Sequence, residues 1–289
     1  MDSDASLGEC RRARDMVVRS GAVGLAVRMW GGGARCVVLV HGYGTNSLSW
    51  LRLVSGLEDD FTVVAYDRRG HGRSSGADSY AIENLAGDVR AVVDGLGLVR
   101  PVLVGHSVGA WDALAFAADE PNVAGVLCLD QAIAVDDAAW STTYRPVCVE
   151  ERLAQLRADP LLARGYTQAE VDELILDAKR APGLQPWSAY GPMVRRGIRR
   201  GGDGLFWVRP TVGDRLMIER GWATVVAEPY EAISCPVTLA LAARNPGPFH
   251  DALRRLAVRR KLSAVLLDSD HDIHVERPGD VADLVRTLG

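Results

Sequence analysis

The sequence predicts an α/β fold: one doubly wound, mostly parallel sheet with a helical insertion between two of its later strands. Three observations predict it. Short, continuous apolar runs recur along the chain, as strands buried on both faces require. Amphipathic helical stretches alternate with them. The alternation then stops after Asp130 and resumes near Cys235.

The elements follow in order. Residues 1–14 are polar and charged and read as a loose or helical arm. Met16–Ser20 and Gly24–Trp30 form two opening strands joined at Gly21. Cys36–Val40 is the first continuous apolar run. Phe61–Tyr66, Pro101–Val104, Val123–Leu129, Val237–Leu241 and Ala264–Leu267 repeat it. Helical patterns occupy Ser47–Leu57, Ala81–Leu96, Ala110–Ala118, Asp251–Val258 and Gly279–Leu288. Residues 1–131 and 232–289 therefore make one core. Residues 132–231, interrupted by prolines, make a helical cap or lid.

Bulk properties narrow the class. Hydrophobic content of 48% and charged content of 24% are those of an ordinary globular protein. A net charge of -4 and a pI near 5.9 leave no electrostatic footprint for nucleic acid. No apolar run approaches the roughly 20 residues of a membrane helix. Met1–Asp4 lacks the basic-then-apolar order of a secretory leader. The 5 cysteines are scattered, with no Cys-x-x-Cys pair. These features predict a reduced, cytoplasmic protein with no membrane or nucleic-acid partner and no structural metal.

The chemistry centres on Gly105-His106-Ser107-Val108-Gly109. An apolar strand runs into this Gly-x-Ser-x-Gly and an alanine-rich helix leaves it, the context in which the motif marks a nucleophile. The turn is too tight for side chains beside the serine, so glycines flank it and the hydroxyl points away from the sheet.

Three more motifs stand in order around it: His41-Gly42-Tyr43-Gly44, Asp67-Arg68-Arg69-Gly70-His71-Gly72-Arg73-Ser74, and His271-Asp272-Ile273-His274-Val275-Glu276-Arg277-Pro278. Together they resemble the α/β-hydrolase superfamily over nearly everything outside the insertion. The resemblance implies Ser107 as nucleophile and His271 as its base. It also implies an oxyanion hole made of the Tyr43 and Val108 backbone N–H groups, the latter at a helix N-terminus. Gly42 and Gly44 let that loop approach the substrate oxygen. The Tyr43 ring either lines the acyl pocket or packs against the insertion. His41 and His71 read as hydrogen-bond organisers of the floor, His106 as directed into the core, and His274 as packing or capping. His250 opens a helix and looks solvated.

The third triad member departs from the family pattern. Relatives carry a carboxylate after the strand that follows the insertion, but no Asp or Glu occurs from Ser234 to His250. The turn instead reads Ala242-Ala243-Arg244-Asn245-Pro246-Gly247. A substitute stands at the end of the strand before the insertion, Asp130, whose carboxyl end faces the same crevice. Asp130 is the expected acid, with Asp251, Asp268 and Asp270 as outside candidates.

The insertion holds Trp140, Trp187, Trp207 and Trp222 with Tyr144, Tyr166, Tyr190 and Tyr230. Trp140, Tyr144 and Trp187, with Gly42 and Tyr43, form the expected substrate-binding set. The same aromatics also suit a small core of the cap itself. Arg195–Arg200 is either a solvated face or a receiver of an anionic substrate tail.

Serine at the elbow excludes dehalogenase and epoxide-hydrolase chemistry, which needs aspartate there. The expected activity is hydrolysis of an ester or lactone of a hydrophobic small molecule through an acyl-enzyme, without a cofactor. Alternatives are a thioesterase or cyclising acyltransferase of natural-product assembly and, from another class, a non-hydrolytic enzyme or ligand-binding protein on this fold.

Overall fold

A computed structural model describes residues 13–138, 149–180 and 190–289. Its main sheet contains β1 (Arg14–Ser20), β2 (Val23–Gly31), β3 (Arg35–Val40), β4 (Phe61–Tyr66), β5 (Val102–His106), β6 (Gly125–Leu129), β9 (Val237–Ala242) and β10 (Ser263–Leu267). The spatial order is β1-β2-β4-β3-β5-β6-β9-β10. The pairs β1–β2 and β2–β4 are antiparallel and the rest are parallel.

The parallel strands alternate their side chains between two apolar layers, which explains why they read as unbroken hydrophobic runs. Val38, Val40, Leu103, Cys128 and Leu241 face one layer. Ile82–Gly95, Gly109–Asp119 and Pro248–Arg260 cover it with Val89, Val92, Trp111, Leu114, Leu253 and Leu256. Val37, Leu39, Val104, Leu127 and Leu129 face the other layer. Leu51–Ser55 and Pro278–Leu288 cover that side with Leu53, Val54, Val281 and Val285. A strand buried on both sides places whatever follows its carboxyl end on a rigid rim.

Between β6 and β9 the described residues hold no further strand of the main sheet. They form helices Val149–Ala158, Gln168–Arg180, Tyr190–Arg196 and Val212–Trp222. They also form an antiparallel hairpin, β7 (Ile198–Arg200) and β8 (Phe206–Val208), which the arginine-rich sequence does not suggest. Two insertion segments reach the core's loops. The Arg196 guanidinium donates to Asp67 at 2.8 Å, and Asn46 Nδ2 donates to the Met193 carbonyl at 2.8 Å. Residues 1–12 of the expected arm lie outside the described residues, and its last residue, Arg14, already pairs with Met29 across the first hairpin.

Candidate active site

Ser107 directly follows β5 and sits at φ 50°, in the left-handed region that side chains disfavour. The flanking glycines make that bend possible. A Cβ on Gly105 would lie 2.4 Å from Ala110 Cα, and one on Gly109 would lie 2.3 Å from the Val40 carbonyl oxygen. Strain of this kind persists only where the surroundings enforce it. The Val108 N–H, at the start of the helix behind Ser107, has no acceptor among the described residues.

Asp130 repeats the device one strand over. It directly follows β6, at φ 54°, and its N–H donates to the Ala240 carbonyl at 2.8 Å. The Ser107 N–H in turn donates to the Leu129 carbonyl at 3.0 Å. The sheet ladder therefore runs past the ends of β5 and β6, and both left-handed residues are registered by it.

His271 arrives from the loop after β10 and brings Nδ1 to 2.7 Å from Asp130 Oδ2. The pairing fixes the tautomer: Nδ1 carries the proton and donates, which leaves Nε2 free to accept. Partial burial alone would lower the His271 pKa, but the hydrogen bond and charge of Asp130 outweigh it, and the pKa is raised. Burial would raise the Asp130 pKa, yet the His271 bond, the Ala242 N–H and the nearby His250 hold it below the usual carboxylate value. Ser107 Oγ makes no hydrogen bond to His271 here, and such contacts commonly tighten only when substrate is bound. The two residues nevertheless share one rim: the His106 ring packs against His271, tilted by 50° with centroids 4.7 Å apart, and His106 Nε2 donates to the His271 carbonyl at 3.0 Å.

The loop carrying Tyr43 lies against the elbow, since a Cβ on Gly42 would lie 3.1 Å from Ser107 Cβ. Two buried histidines shape it. His41 Nε2 accepts from the Arg68 N–H at 2.9 Å, so Nδ1 donates to the Gly42 carbonyl at 2.8 Å. His71 Nε2 accepts from the Gly44 N–H at 3.3 Å while Nδ1 donates to the Arg69 carbonyl. Burial and the Arg68 charge push the His41 pKa down to about 3, so it serves as a neutral strut. Arg68 forks onto Asp112 at 2.6 and 3.0 Å, joining this loop to the elbow helix. Asp67 accepts from the Arg73 N–H of its own loop and from the Ser47 N–H of the loop after β3.

His274 packs, between Trp50 at 4.3 Å and His106 at 4.5 Å. Ligand atoms of His106, Asp272 and His274 lie within 4.8 Å of one another. The His106 Nε2–H is already given to the His271 carbonyl, and the His106 and His274 rings pack tilted by 48° with centroids 4.5 Å apart.

Other expectations need revision. His250 is not solvated: it is 4% exposed, and its Nε2 lies 2.9 Å from Asp130 Oδ1. The helix it opens faces the core with that residue, as Leu253 and Leu256 on the same side show. Asn245 stands in the turn where a carboxylate is absent, and its amide donates to Asp130 Oδ2 at 3.3 Å. The Asp-free turn and the histidine five residues beyond it were the available signals. The Tyr43 ring takes the second of its two expected places. It packs edge-on against Trp222 of the insertion, 5.2 Å away, with the Arg215 guanidinium also 5.2 Å from its centroid. Tyr166 joins Val171 and Ile175 in a cluster of the insertion's own, and Tyr230 packs into the main core. Trp140, Tyr144 and Trp187 lie outside the described residues.

Comparison with known proteins agrees with this architecture. The model of the alpha/beta hydrolase family matches residues 37–284, and the chain belongs to that family. It is 27% identical over 225 residues to a 2-(acetamidomethylene)succinate hydrolase of Mesorhizobium japonicum, covering 76% of this chain and 74% of that protein. It is 28% identical over 178 residues to RutD of Enterobacter cloacae subsp. cloacae, named for carbamate hydrolysis. That match covers 57% of this chain and 64% of RutD, so the chain spans less than two thirds of that relative. The crystal structure of E-2-(acetamidomethylene)succinate hydrolase superposes with a TM-score of 0.73 at 24% identity, over 96% of this chain and 99% of that one. Among the described residues no helix is long and apolar enough to cross a membrane.

Proposed function

We propose that the protein is a serine hydrolase that opens an ester or lactone of a hydrophobic small molecule through an acyl-enzyme. Ser107 attacks the carbonyl, His271 Nε2 takes the hydroxyl proton, and Asp130 holds and charge-stabilises the imidazolium that forms. The Tyr43 and Val108 N–H groups receive the developing oxyanion. His271 then returns the proton to the leaving oxygen, and water repeats the sequence on the acyl group. Residues 132–231 act as the cap over this rim, joined to it where Trp222 meets Tyr43. The observation that carries the reading is the 2.7 Å His271–Asp130 bond set beside a serine on a left-handed bend.

The names of the relatives favour a neighbouring substrate class. Carbamate and acetamidomethylene groups place nitrogen beside the acyl carbon, and the same acyl-enzyme route serves them. A panel pairing each aryl ester with its carbamate and amide ranks these bonds by kcat/KM. Labelling with a fluorophosphonate tests the nucleophile itself. The native protein should label at Ser107 and Ser107→Ala should not; a native protein that stays unlabelled contradicts the reading.

A further inference from the structure

Asp130 carries more than a catalytic acid needs. Its Oδ1 receives the Ala242 N–H at 2.7 Å and lies 2.9 Å from His250 Nε2. Its Oδ2 receives His271 Nδ1 at 2.7 Å and the Asn245 amide at 3.3 Å. One carboxylate thus sits between two imidazoles, one at the rim and one in the core. The His271 side chain is 45% exposed, whereas that of His250 is 5% exposed and that of Asp130 fully buried.

We propose that His250 is a positioning residue for this carboxylate. Its Nε2–H occupies Oδ1 from the core side, so that Oδ2 is left turned toward His271. The proposal rests on the Ser107–His271–Asp130 reading above. Three features argue for it. First, His250 Nδ1 is buried with no partner, so a proton placed there would be a buried, unsatisfied donor. The proton is therefore assigned to Nε2, which lies 2.9 Å from the anionic Asp130 Oδ1 and 3.5 Å from the Asn245 amide nitrogen. Second, Asp130 is held on a left-handed bend at the end of a strand with the Ala242 N–H on Oδ1, and His250 closes the core side of that same oxygen. Third, the turn after β9 carries Asn245 where relatives place their acid. Asn245 from that turn and His250 from the helix that follows it reach across to Asp130. The segment carries no carboxylate of its own and sets polar nitrogens against the carboxylate next door.

The electrostatic consequence has a definite sign. A donor on Oδ1 draws charge from the carboxylate and weakens its pull on the His271 proton. Removing that donor makes Asp130 a stronger partner and raises the His271 pKa further. The pH at which the neutral base appears then moves up. A residue serving only to fill space would change stability without moving that midpoint.

The test is the pH dependence of fluorophosphonate labelling at Ser107 in the full chain, with Ser107→Ala as the control for the underlying reading. His250→Gln places an amide N–H where Nε2 stood; His250→Asn places it at Nδ1, too short to reach Asp130. Both leave a polar group of similar size in the core. His250→Asn should label on the order of 10-fold more slowly, with its acidic midpoint at higher pH. His250→Gln should keep the native midpoint and a rate within a few-fold of native. An unchanged or lowered midpoint in His250→Asn overturns the proposal, as does a His250→Gln profile that matches it. If neither the native protein nor any variant labels, the underlying reading fails instead. Should His250→Asn not fold, the native protein decides through its imidazole proton resonances: a low-field His250 Nε2–H signal is expected, and its absence overturns the assignment.

Discussion

The rim at the carboxyl ends of β3 to β6 and the insertion between β6 and β9 are built on different principles. On the rim, charged and polar groups are buried and spoken for: Arg68 on Asp112, Arg69 on Asp88, Asp67 under Arg196, and Asp130 between two histidines. In the insertion, the Arg164–Glu170 pair stands largely in solvent and the apolar cluster around Tyr166 is small, while Arg196 and the Arg209–Asp214 pair near the rim are buried or nearly so. A buried pair fixes geometry because breaking it strands a charge; an exposed pair fixes little. The rim is therefore suited to hold reacting groups within fractions of an ångström.

The largest expected effect in this contrast falls on the rim's charge. Asp130→Asn should lower kcat by on the order of 10²–10⁴-fold with little change in fold, measured on any ester the native protein turns over. Near-native kcat would pass the acid's role to another carboxylate.

Breaking the Arg68–Asp112 fork should act on stability instead. Arg68→Met leaves Asp112 buried and unpaired, at a cost of about 3–5 kcal/mol, so the melting temperature should drop by about 10 °C. An unchanged melting curve would show that the rim does not depend on this pair.

Acid should expose the rim before the insertion. His41, His71, His106 and His274 are buried with lowered pKa values, chiefly through desolvation, to about 3 for His41 and about 4 for His106. Each folds neutral, so its contribution is complete above its unfolded value near 6.5. It is lost as pH falls through the window below that, toward the folded value. Thermal melts between pH 7 and pH 5 should fall by several degrees or more. His271 works in the opposite sense: its raised pKa adds stability below about 6.5 that is lost as pH rises. The acid limb of kcat/KM, which reports the neutral base, should accordingly have its midpoint above 6.5.

The smallest effect is expected in the insertion. Arg164→Ala removes an exposed pair and should leave both melting temperature and kcat essentially unchanged. A clear loss there would show that the insertion is tied down as firmly as the rim.

Legibility in the sequence follows the same division. Phe61–Tyr66 reads as a strand residue for residue, because a doubly buried strand has no polar face to blur its ends. Asp130 emerges as a candidate because the sequence lacks a carboxylate where the family has one, and a missing residue type is visible without coordinates. His250 is misread because a histidine beside Pro248 and Asp251 looks like a helix start in water. Which side of that helix faces the sheet depends on tertiary packing. The hairpin at Ile198–Val208 is hidden for a related reason. Its strands have three residues each, too few to show a period of two, and the arginines around them mimic a solvated helix. Pairings such as Arg68–Asp112 join residues 44 apart and carry no local signal at all.

The most direct measurement is a crystal structure of the protein after reaction with an aryl phosphonate. The phosphorus should be bonded to Ser107 Oγ, with one phosphonyl oxygen in the N–H groups of Tyr43 and Val108 and His271 Nε2 turned toward the adduct. Phosphorus attached to another side chain, or an adduct at Ser107 with His271 directed away from it, would contradict the assignment of this rim as the catalytic centre.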